Sequence, residues 1–101
     1  MNYNELSTLL NLHINSILNL LPREFTSNGF INVLIDVLPN EYSRTLLNAG
    51  NSSYRNFHIW ISRWYLQDLV NRELIVKLNH KQECSTRNGN KSMNQVWQKI
   101  R

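Results

Sequence analysis

The side chains best suited to chemistry fall in two stretches of the sequence. Tyr54, Arg55, Asn56, His58 and Arg63 form one polar and aromatic run; Lys81, Arg87 and Lys91 form a second, with Lys77 just before it. Arginine can pair bidentately with guanine and asparagine with adenine, so Arg55 and Asn56 are the candidates for contacting base edges. Lysine and arginine spread along a polar loop suit phosphates, which set register without reading sequence. These residues are the candidate DNA-binding set. The blander alternatives stay open. Exposed charge is commonly mere solvation, and Arg55 or Arg63 could pair with Asp68 or Glu41 instead. His58 could be a packed or hydrogen-bonded residue, and Trp60, Trp64 and Trp97 are expected in the core.

Other chemistries find no support. His80 and Cys84 have a plausible local spacing, but a structural zinc site needs four ligands and no others lie close by. As a nucleophile, Cys84 with His80 lacks an orienting third group. The seven acidic residues are scattered, and Gly29, Gly50 and Gly89 stand alone, so no phosphate-cradling loop is present. The expectation is a protein that is not an enzyme and carries no cofactor or metal.

Charge distribution sharpens the choice of partner. Residues 1–50 carry two basic and four acidic side chains, a net −2, whereas residues 51–101 carry nine basic and three acidic, a net +6. Clustered positive charge favours phosphate-rich partners, because neutralising phosphates releases condensed counterions. The chain has 101 residues, 42% of them hydrophobic and 10% aromatic, which suits a single small folded domain over 1–101 with little room for an enclosed substrate pocket. A single cysteine allows no internal disulfide and fits a reducing compartment. Polar residues interrupt every apolar run, and no basic region precedes a clean apolar segment at the N-terminus. A cytoplasmic protein with no membrane partner is expected.

The elements that must position the basic residues follow from periodicity. Leu6, Leu9, Leu10, Ile14, Ile17, Leu18 and Leu21 form one apolar stripe, predicting a helix over 4–21 with Asn4 as its cap and Pro22 as its stop. A helical pair follows over 26–48. Thr26 is its expected cap, with Phe25 and Phe30 placed as a hydrophobic staple, although the β-branched content of 31–37 would also suit a strand. Gly50 to Ser53 breaks the chain, with Ser52 or Ser53 able to cap a helix over 54–70. On that helix Phe57, Ile61, Trp64 and Leu69 supply a stripe that Trp60 and Tyr65 broaden. Residues 73–100 read as a β-hairpin. Leu74, Val76 and Leu78 take one side of its first strand, Val96, Gln98 and Ile100 alternate with Trp97 and Lys99 in the second, and the tip around Asn88-Gly89-Asn90 is basic. The fold class is mostly α with a C-terminal β-hairpin, α+β.

Helices followed by a hairpin with a basic tip resemble, over residues 25–101, a winged helix-turn-helix domain with 4–21 as a preceding helix. Phe25-Thr26 with Phe30-Ile31 is similar to the opening of some bacterial winged-helix modules. His58, Ile61, Ser62, Arg63 and Leu66 are similar to the spaced His…Ile-Gly-Arg…Leu pattern on their following helix. Asn88 to Ser92 followed by Val96-Trp97-Gln98-Lys99-Ile100 resembles a wing returning into a tryptophan-bearing strand. The resemblance implies that helix 54–70 enters the major groove while the wing contacts phosphates or the minor groove. It implies a small transcription regulator on duplex DNA, working as a homodimer on paired half-sites. Two rivals remain: RNA recognised through shape, and a protein-interaction module or small inhibitor from a mobile element, acting on a protein partner.

Overall fold

A computed structural model describes residues 1–49, 53–85 and 91–100. Helix α1 (Tyr3–Leu20) begins at a capping box: the Asn2 side chain accepts from the Glu5 N–H at 2.8 Å, and the Glu5 carboxylate accepts from the Asn2 N–H at 3.2 Å. Asn2, not Asn4, is therefore the cap, because only Asn2 has a glutamate at the third helical position. Leu6, Leu10, Ile14 and Ile17 are buried along the expected stripe. The last turn of α1 holds no basic residue of its own. Instead Lys99, from the far end of the chain, donates to the carbonyls of Leu18 (2.9 Å) and Leu21 (2.7 Å). A cation there satisfies orphan carbonyls and complements the negative end of the helix dipole. Among the described residues, no helix is long and apolar enough to cross a membrane.

Strand β1 (Glu24–Thr26) leads directly into α2 (Ser27–Val37). Thr26 caps α2 as expected, accepting from the Gly29 N–H at 3.0 Å, and the Phe25 and Phe30 rings meet at 6.3 Å. Phe30, Ile31 and Leu34 are buried, so the β-branched run is helical. Pro39 opens α3 (Pro39–Ala49), at a position where its missing N–H has no intrahelical partner to lose.

The next helix is continuous but not uniform. α4 (Ser53–Trp60) passes through a π-helical turn (Ile61–Tyr65) into α5 (Leu66–Asn71). In that turn the Leu66 N–H reaches back five residues to the Ile61 carbonyl. One extra residue per turn delays the return to the core face. The inward set is accordingly Phe57, Ile61, Tyr65, Leu66 and Leu69, while Trp64 is turned out and 68% exposed. The expectation of a core Trp64 is corrected: a uniform 3.6-residue period does not hold across this helix. Trp60 is half-buried and stacks on Tyr3 at 4.8 Å. The helix ends in a Schellman motif, with Glu73 N–H bonded to the Val70 carbonyl and Leu74 N–H to the Leu69 carbonyl. Glu73 takes the left-handed position, φ 61°, where glycine is usual.

β2 (Ile75–Ser85) and β3 (Lys91–Lys99) form the hairpin, with β1 on its other side in the antiparallel order β1-β3-β2. Three corrections arise here. The strands run closer to the tip than expected. The buried residue of the first strand is Ile75, while Val76 is 39% exposed, so its apolar alternation is one residue out of phase with the expected one. β1 carries no readable pattern, being three residues long, yet it makes β3 the central strand, and Val96 and Trp97 are both buried. Trp97 Nε1 donates to Ser27 Oγ at 3.0 Å, tying the hairpin to the start of α2.

Candidate nucleic-acid interface

A groove of about 410 Å³ runs between the long helix and the hairpin. Ile59, Arg63 and Gln67 reach it from one helix face, at the spacing that aligns side chains along a helix. The sheet contributes Lys77 and Lys81 from β2, with Met93, Gln95 and Trp97 from β3. Register explains the grouping. Lys77 lies opposite Trp97, Lys81 opposite Gln95 and Glu83 opposite Met93, so these side chains share one face of the sheet. Between Lys77 and Lys81 the register shifts at a bulge. The Gln95 amide spans it, donating to the Leu78 carbonyl and, at 3.3 Å, to that of His80.

Arg63, Lys77 and Lys81 thus meet from two elements around one space, and no carboxylate lines it among the described residues. The ion pairs found among the described residues, Arg72 with Asp68 (3.6 Å) and Lys91 with Glu83 (3.9 Å), take none of these three cations. Asp68 is therefore not the partner of Arg63.

His58 lines the groove, half-buried, together with Asn94. Burial pushes its imidazole below the ordinary value of 6.5, opposed in part by the Asn94 side chain. Asn94 is itself 2% exposed: it accepts from the Asn28 N–H at 3.1 Å and donates to Ser92 Oγ at 2.9 Å. Asn94 thereby joins β3 to the start of α2.

The other candidates divide. Arg55 and Asn56 are exposed on α4 but do not line the groove. Tyr54 is half-buried, not outward-pointing as expected, and so is His58, because both lie on turns flanking the Phe57 core position. Lys91 lies beyond the groove, paired with Glu83. Arg87 and the Asn88-Gly89-Asn90 turn, like Gly50 to Ser52, lie outside the described residues. Sequence reasoning missed Gln67, Gln95 and Asn94. Gln67 could have been found from its spacing to Arg63, whereas Gln95 is drawn in by the bulge and Asn94 by burial. Among the described residues, no group of three or more His, Cys, Asp or Glu side chains could hold a metal ion.

Comparison with models of known protein families, with curated proteins and with solved structures finds no match.

Proposed function

We propose that this chain is a non-catalytic DNA-binding protein of winged-helix type, a small cytoplasmic regulator that engages duplex DNA through the long helix and the basic hairpin. The observation that carries this reading is the convergence of Arg63, Lys77 and Lys81 on one groove lined by no carboxylate among the described residues. Grouped cations without local counter-charges favour a phosphate backbone, and binding is driven by release of its counterions. Arg55 and Asn56, exposed on the preceding turns of the same helix, are its candidate base readers.

Fluorescence anisotropy of a labelled duplex, titrated at two salt concentrations, tests the proposal. Affinity should fall steeply with salt, as log K against log salt with a slope of about −0.9 for each phosphate neutralised. Duplex binding absent even at low salt would remove the reading. One observation favours a second reading, a protein-interaction module: Trp64 is 68% exposed on the same helix. Tryptophan is enriched at the anchors of protein interfaces. Under that reading Trp64→Ala abolishes partner capture, and Arg63→Ala leaves it intact.

A further inference from the structure

One titratable side chain of the groove has no part in the DNA-binding proposal: His58. Arg63 on its own helix and Lys77 and Lys81 on β2 line the groove with it, while Arg55 stands exposed one turn earlier. β3 contributes Met93, Asn94, Gln95 and Trp97, none of which titrates, and behind Asn94 lies the uncharged Asn28. Further along that sheet face Glu83 is engaged with Lys91.

Asn94 lines the groove with the ring. Its amide nitrogen is occupied by Ser92, through Oγ at 2.9 Å and the carbonyl at 3.4 Å. Its Oδ1 accepts from the Asn28 N–H. One nitrogen of a neutral imidazole carries the hydrogen, and the other keeps the lone pair that takes up a proton. Partial desolvation opposes an imidazolium at this position. A phosphate held by Arg63, Lys77 and Lys81 acts the other way, because it brings negative charge into the groove that His58 lines.

We propose that a phosphate group binds in this groove together with a proton taken from solvent by His58, so that the affinity of the site for phosphate-bearing ligands rises as pH falls. The nucleic-acid form of this coupling rests on the DNA-binding reading; the coupling itself belongs to the groove.

Two measurements on the full chain separate the two. In the first, the His58 ring is titrated by NMR with and without inorganic pyrophosphate, which should move its midpoint to higher pH. In the second, labelled duplex is titrated at fixed ionic strength from about pH 8 to about pH 5.5, spanning the range in which histidine charges. Affinity should rise by up to about tenfold per pH unit where one proton is taken up. His58→Gln should remove that slope. His80→Gln, an exposed histidine outside the groove lining, should keep it. A midpoint raised by pyrophosphate without duplex binding at any pH supports the coupled site and removes the DNA reading. A pH slope that survives in His58→Gln, or a ring titration indifferent to pyrophosphate, overturns the coupling. Should His58→Gln fail to fold, the wild-type ring titration decides alone.

Discussion

Two clefts of this protein are lined by cations, and they differ in what those cations do. The larger, about 580 Å³, lies beside the end of α1 and holds Arg72, Lys99 and Glu73. There Lys99 is committed to two carbonyls, and Arg72 to Asp68 and, at 2.9 Å, to Asn11. The same Asn11 accepts from Tyr65 at 3.0 Å, and burial raises the Tyr65 phenol well above its ordinary range. The smaller cleft, between helix and hairpin, brings together Arg63, Lys77 and Lys81, none of which enters the described ion pairs. Size and positive charge alone would rank the first cleft higher. Commitment reverses the order: a cation already holding the fold together is not available to a ligand.

Reversing charge should separate the clefts most sharply. Arg63→Glu with Lys81→Glu should weaken duplex binding on the order of 100-fold and lower the salt slope by about two, with little change in melting temperature. Comparable weakening from Arg72→Glu would break the contrast. In the other cleft, Lys99→Met should cost about 1–2 kcal/mol of unfolding free energy, read by urea denaturation, because it strips the cap from α1. Its effect on affinity should be small. Arg55→Ala tests base reading: discrimination between preferred and scrambled duplexes should shrink by about 1–3 kcal/mol, whereas Lys77→Ala should weaken both alike.

The pH dependence has opposite signs with and without ligand. A half-buried histidine whose pKa lies below 6.5 contributes its full stabilisation above that value. As pH falls below 6.5, the unfolded chain takes the proton first, and free-protein stability declines until the folded-state value is reached. Denaturation between about pH 7.5 and 5 should show this decline, and His58→Gln should lessen it. The smallest expected effect is a gain. Glu73→Gly at φ 61° should add about 0.5–1 kcal/mol, since glycine takes the left-handed position without strain.

Much of this architecture is legible locally. The stripe of α1, the Thr26 cap with its Phe25–Phe30 staple, the helical span after residue 53 and the hairpin all follow from patterns repeated within a few residues. The basic character of the second half is likewise plain in its charges. Other features could not be read that way. Trp64 sits three residues after Ile61, a spacing that predicts burial in an α-helix, and only the π-turn puts it outside. β1 is too short to show alternation, and it is strand by virtue of pairing with Val96 to Gln98.

The candidate site divides along the same line. Residue type determined that Arg63, Lys77 and Lys81 would be charged, and local periodicity places Arg63 on a helix and Lys77 on a strand, whereas Lys81 reads as loop and is strand only in the folded hairpin. Tertiary structure decided that they share one groove, that Lys99 caps a helix 78 residues upstream of it, and that His58 and Asn94 line that groove together. The physical reason is range. Propensity and capping act over a turn or a pleat, whereas the availability of a charge depends on which distant carbonyls and carboxylates folding brings against it.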